Sequence, residues 1–178
     1  MVVKLKELVQ GDLVLLMKTN NELYIVYTDG GCRVNPKGPG GYAAVIIKDT
    51  IPLYITGFEP STTNQRMELK AAIAALKMIE RSSYVKLYSD SAYMVNCFKE
   101  KWYVSWEKNK WLNSKREPVA NIDLWKSLLK LVRFHKDVEF IKVKGHSDNL
   151  INNKCDQLAT DIVDFKETLD KLINSMNE

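Results

Sequence analysis

The sequence predicts an α/β fold, a mixed sheet with helices on both faces. Two observations carry this. Three runs rich in β-forming residues come first and in direct succession, which favours antiparallel pairing; strands and helices then alternate, which favours parallel crossovers. The chain also has 178 residues, 46% hydrophobic and 27% charged, enough to bury one core without disulfides or a structural metal.

The elements follow in order. Residues 1–22 read as an appendage with a Gly11-Asp12 turn. Leu23–Asp29 (LYIVYTD) alternates and is a strand. A loop rich in Gly and Pro, Gly30 to Gly41, leads to strands Tyr42–Lys48 and Pro52–Gly57, joined by a tight turn at Asp49-Thr50. Thr62 and Gln65 fit a capping box. Leu69, Ala72, Ile73, Leu76 and Ile79 then recur at helical spacing. Val85–Ser89 is a short buried strand, and Ser91–Lys99 a helix. Asn121–Phe134 is an amphipathic helix with Asn121 as its cap, and Val138–Val143 a strand. From Asn152 the chain is helical almost to its end. There Leu158, Ile162, Phe165, Leu169 and Leu172 form an apolar stripe expected to pack on the domain's own core.

Composition narrows the function. No apolar run approaches the roughly 20 residues of a membrane-spanning helix, and no signal peptide is expected from the N-terminus. Cys32, Cys97 and Cys155 are widely spaced and odd in number, so reduced thiols and a cytoplasmic location are expected. The net charge of +4 is mild. Most of the excess sits between Phe98 and Val119, where Lys99, Lys101, Lys108, Lys110, Lys115 and Arg116 outnumber Glu100, Glu107 and Glu117. Trp102, Trp106 and Trp111 lie in the same stretch.

Four carboxylates stand at element ends. Asp29 closes the first strand and Asp90 the fourth; Glu68 lies about one turn into its helix, and Asp156 in the first turn of the last helix. Singly, each has an ordinary explanation as a turn residue, a helix cap or a dipole-favoured acid. Together at the C-terminal edge of a sheet they would repel one another. A pair of divalent cations, the arrangement used for phosphoryl transfer, would remove that repulsion.

The runs around these acids resemble type 1 ribonuclease H of the bacterial and eukaryotic kind. They are YTDGGCRVNPKGPGGYAAV (27–45), TTNQRMELKAAIAAL (62–76), YSDSAYMV (88–95) and VKGHSDNLINNKCDQLA (143–159), in unbroken order from about residue 23 to 160. The resemblance implies a ribonuclease H-like fold, a five-stranded mixed sheet with three antiparallel then two parallel strands. It implies endonucleolytic hydrolysis of the RNA strand of RNA–DNA hybrids, leaving 5′-phosphate and 3′-hydroxyl ends. Asp29, Glu68, Asp90 and Asp156 would bind two Mg²⁺, with Mn²⁺ able to substitute. His146 would move a proton or aid product release, whereas His135 has only a structural context.

By the same resemblance Asn35, Asn64 and Gln65 would contact the minor groove, where the 2′-hydroxyl distinguishes RNA from DNA. Thr63 would hold a phosphate of the DNA strand. Residues 98–119 match the basic protrusion of many members, with Lys108 and Lys110 on the backbone. Trp102 is a possible backbone contact there, and Trp106 and Trp111 are expected to pack. Departures are Ala92, where many relatives carry a polar residue, Gln65 for a common Asn, and one extra residue in the 35–40 loop. The expected organisation is an N-terminal extension (1–22), a catalytic domain (23–160) and a C-terminal helix extension (161–178), in a monomer. The competing readings are a DNA-processing nuclease or integrase of the same fold, and a non-catalytic hybrid-binding module.

Overall fold

A computed structural model describes residues 23–145 and 149–176. Five strands form a single sheet: β1 (Leu23–Cys32), β2 (Gly40–Lys48), β3 (Ile51–Glu59), β4 (Tyr84–Ser89) and β5 (Asp137–Lys142). The order is β3-β2-β1-β4-β5. The β1–β2 and β2–β3 pairs are antiparallel, and β1–β4 and β4–β5 are parallel. The hairpins close through short connections, with Asp49 in the left-handed region at φ 59°; the parallel pairs need helical crossovers. The expected five-stranded mixed sheet is therefore present.

The helices are α1 (Asn64–Met78), α2 (Ala92–Lys99), α3 (Trp102–Lys108), α4 (Ile122–Val132) and α5 (Leu150–Met176). Successive residues of β1 face opposite sides of the sheet. Tyr24 and Val26 join Ala44, Ile46 and Leu87 under α1, α2 and α4, with Leu69, Ile73, Leu76, Trp125 and Leu128. Leu23, Ile25 and Tyr27 join Ala43, Val45 and Ile47 under α5, with Cys155 and Ala159. β1 is buried on both faces, which is why its sequence is nearly continuously apolar.

Several local expectations are corrected. The helix at 64 is capped by Thr63, whose side chain accepts from the Arg66 N–H at 3.3 Å; Thr62 is buried instead, and Arg66 occupies the place a capping-box Gln would need. Asn121 caps nothing through its side chain. It sits at φ 58°, and its Oδ1 accepts from Arg66. β1 runs past Asp29 to Cys32, because Gly30–Cys32 pair with Gly40–Tyr42. α5 starts at Leu150, where Asn149 Oδ1 accepts from the Asn152 N–H at 3.0 Å, so Asp156 lies in the second turn. The apolar stripe of α5 is covered only in part. Leu158, Ile162 and Leu169 are half-buried, but Phe165 and Leu172 are 60% and 56% exposed.

Candidate active site

Register brings the first two carboxylates together. Thr28 pairs with Ser89 across the parallel β1–β4 ladder, so Asp29 and Asp90 follow at the same level on adjacent strands. The backbone brings the third. A Cβ on Gly30 would lie 2.5 Å from the Met67 carbonyl carbon and 2.8 Å from the Glu68 nitrogen, so only glycine lets α1 approach β1 this closely. Glu68 then reaches over the edge and accepts a 2.5 Å hydrogen bond from Ser91 Oγ. Ser91 also caps α2, accepting from the Met94 N–H at 3.3 Å.

α5 brings the fourth. Its Ala159 carbonyl lies 2.1 Å from where a Gly41 Cβ would stand, and Cys155 Sγ donates to the Tyr27 carbonyl at 3.4 Å. Asp156 is the next residue. With Asp29 it lines a cleft of about 260 Å³ between β1 and α5, shared with Gly31, Cys32, Arg33 and Thr160.

The electrostatics report this convergence. Asp29 is pushed up from 3.8 to about 7, first by burial and then by Asp90, Asp156 and Glu68; the Gly30 N–H, donating to Asp29 Oδ1 at 2.6 Å, opposes the shift. Glu68 is also raised, chiefly by burial, with Ser91 pulling it down, Asp90 pushing it up and Lys142 lowering it. Lys142, at the end of β5, donates to the Asp90 main-chain carbonyl. Among the described residues no three His, Cys, Asp or Glu side chains converge on one ion position as they stand. The donor set nevertheless suits hard divalent cations: these carboxylates are close enough to repel one another, and added positive charge offsets that.

The other anticipated residues fall in two groups. Asn35, Thr63, Asn64 and Gln65 lie beside the acids, where the β1–β2 loop meets the start of α1. Asn64 Oδ1 accepts from the Cys32 N–H at 2.8 Å, and Asn35 Oδ1 accepts from the Asn64 N–H at 3.4 Å. Thr63 is occupied as the cap, and Gln65 is exposed. Trp102 and Lys108 lie on α3, and Lys110 directly after it. Trp102 is tilted against Tyr93 and Trp106, with centroids 6.2 and 6.4 Å apart, and its Nε1 donates to Glu100. Trp106 and Trp111 pack as expected; Trp106 sits edge-on to the fully buried Trp125 at 5.4 Å. Lys108 and Lys110 are exposed, and so is Ala92. His146 falls outside the described residues, and His135 is half-buried near the end of α4.

Sequence reading missed Ser91, Lys142 and Gly30 as parts of the site. The last had a signal, a glycine directly after a strand-end acid; the other two depend on register.

Comparison with known proteins agrees with this fold. Residues 21–164 match the family described as RNase H. The ribonuclease H of Caldanaerobacter subterraneus subsp. tengcongensis is 57% identical over 145 residues, 82% of this chain and 94% of that protein. That of Moorella thermoacetica is 55% identical over 134 residues, 75% and 87% of the two chains. Among solved structures, LC9-RNase H1, described as a type 1 RNase H with the type 2 active-site motif, superposes with a TM-score of 0.71 at 26% identity. That match covers 82% of this chain and 74% of the other. LC11-RNase H1, solved with an RNA/DNA hybrid, shares the fold at a TM-score of 0.59 and 21% identity, covering 80% and 98%.

Proposed function

The chain belongs to the ribonuclease H family, and from that membership we propose that it cuts the RNA strand of RNA–DNA hybrids with two divalent ions held by Asp29, Glu68, Asp90 and Asp156. The observation that carries this is the gathering of four acids at one sheet edge, with Asp29 held near neutral pH by burial and by the other three. Mg²⁺ is the proposed metal, and Mn²⁺ a substitute. Bound there, the two ions would offset the phosphodiester's charge, supply hydroxide near neutral pH and stabilise the leaving 3′ oxygen, giving 5′-phosphate and 3′-hydroxyl ends.

The chain's own residues do the rest. Asp29, which the charges of Asp90, Asp156 and Glu68 all reach, would be shared by both sides of the site. Ser91 and Lys142 hold Glu68 and the Asp90 backbone in place. His146 would move a proton or aid product release, as an imidazole can near neutral pH. Asn35, Asn64 and Gln65 would read the minor groove and its 2′-hydroxyls, and Thr63 a DNA-strand phosphate. Lys108, Lys110 and Trp102 would follow the DNA backbone, which makes affinity salt-dependent. The organisation we assign is residues 23–160 as catalytic domain, 98–119 as its basic protrusion, and 1–22 and 161–178 as extensions, in a cytoplasmic monomer. Among the described residues no helix is long and apolar enough to cross a membrane.

The test uses labelled hybrid, duplex RNA and duplex DNA with Mg²⁺ or EDTA. Cleavage confined to the RNA strand of the hybrid and abolished by EDTA is expected. Equal cutting of duplex DNA, or indifference to EDTA, would refute the reading. Asp29→Asn should bind hybrid but scarcely cleave it.

A further inference from the structure

Arg33 follows β1 at the base of the loop that carries Asn35. Its main-chain N–H donates to the Pro39 carbonyl at 2.9 Å and closes the loop at its neck; within it Gly38 N–H donates to Val34 O at 2.7 Å. One side of the loop is tied to the approach to α1. Lys37 N–H donates to Thr62 O at 2.8 Å, and Thr62 N–H to Gly38 O at 2.9 Å. On the other side the Arg33 guanidinium pairs with Asp164 and lies 3.8 Å from Glu167.

Those two acids stand three residues apart on α5, on one face. Val163, directly before them, is the last fully buried residue of the helix, and Phe165 between them is exposed. The family match ends at residue 164, so Glu167 and the rest of α5 lie beyond the matched segment. Arg33 also lines the cleft shared by Asp29 and Asp156.

We propose that Arg33, Asp164 and Glu167 form a clamp through which the outer part of α5 positions the 33–39 loop against the active-site edge. Arg33 is a positioning residue here, turned toward the helix instead of the nucleic acid. The clamp rests on the reading that this loop meets a hybrid, but its effect on the loop exists in the free protein.

Four full-length variants test it: Arg33→Gln, Arg33→Lys, the double Asp164→Asn/Glu167→Gln, and the triple that combines the double with Arg33→Gln. Two quantities are read, amide hydrogen exchange across residues 33–38 without nucleic acid, and kcat and KM on hybrid with Mg²⁺. Pairs this exposed contribute modestly, so loop exchange and KM should each rise about two- to fivefold, with kcat within about twofold. The triple should be no worse than either parent, because all three remove one interaction. Arg33→Lys should recover part of the loss. If Arg33 instead grips the hybrid, neutralising its two acids would free it and lower KM, and that result overturns the proposal. Unchanged loop exchange in every variant overturns it as well. Faster loop exchange in the variants of a protein whose wild type leaves hybrid intact would uphold the clamp and count against the enzymatic reading.

Discussion

Replacing Asp29 by Asn should stabilise the metal-free protein, and only at high pH. The Asp29 carboxyl titrates at about 7 in the fold against an ordinary 3.8, a rise of about three units. Each unit corresponds to about 1.4 kcal/mol, so ionising this group costs the fold up to about 4 kcal/mol more than it costs the unfolded chain. Some solvent reaches the site, which reduces this to roughly 2–4 kcal/mol. The sign follows from proton binding. Between the two values the folded protein holds a proton that the unfolded chain has released. Stability from this group is therefore complete below about 3.8 and is lost as pH rises toward 7.

Asn cannot ionise, yet its Oδ1 still accepts from the Gly30 N–H. In EDTA, thermal unfolding of wild type and Asp29→Asn should coincide near pH 4 and diverge as pH rises. By pH 8 the variant should melt about 5–15 °C higher, at roughly 2–4 °C per kcal/mol for a chain of this size. Saturating Mg²⁺ should narrow the gap, because cation binding stabilises the wild-type fold by mass action. Equal melting temperatures at pH 8, or a gap independent of pH, would refute the assignment of Asp29 to a repelling cluster.

The remaining predictions concern the scaffold. Gly30→Ala puts a methyl group against the Met67 and Glu68 backbone; it should cost about 1–3 kcal/mol in a urea titration and, by displacing Glu68, lower kcat roughly tenfold to a hundredfold. Ser91→Ala removes the α2 cap and the Glu68 hydrogen bond, so stability should fall by about 0.5–2 kcal/mol and the Mg²⁺ concentration for half-maximal cleavage should rise. Trp125→Ala empties a fully buried site that Tyr93, Phe98 and Trp106 surround; a loss of about 3–5 kcal/mol is expected on denaturation, with weaker hybrid binding as the protrusion loses its footing.

Much of this was legible in the sequence because local and global signals agreed. The run of β-forming residues in Leu23–Asp29 and the helical stripe from Leu69 to Ile79 named their elements, and the acids were visible at the element ends. What failed was decided by partners far away in sequence. Gly30-Gly31 read as loop, yet they extend β1 because Gly40–Tyr42 supply a ladder. Capping-box spacing with Gln65 favoured Thr62 over Thr63, and burial of Thr62 overrode that signal. The stripe on α5 predicted an apolar face but could not say where the sheet ends beneath it. Lys142 and Arg33 enter the site region through strand register and helix placement, neither of which leaves a mark on its neighbours in sequence.

The acids of this site repel one another, so something else must hold them together in the metal-free fold. The backbone does. Asp29 and Asp90 are fixed by the pairing of Thr28 with Ser89, Glu68 by the contact of Gly30 with Met67, and Asp156 by Cys155 on Tyr27 and Ala159 on Gly41. Each of these is a main-chain or packing contact that a change in carboxylate charge leaves intact. Repulsion therefore cannot relax by opening the site; it is expressed as a raised Asp29 pKa and a stability deficit near neutral pH. Lys142 relieves the Glu68 side, where it lowers that acid's pKa. The Asp29–Asp156 side borders the open cleft, whose cation Arg33 is already paired with Asp164. Divalent cations bound there, as proposed, would do two things at once: complete the chemistry and remove the deficit. Stability of the folded protein should thus depend on metal concentration in the same pH range in which hybrid cleavage depends on it.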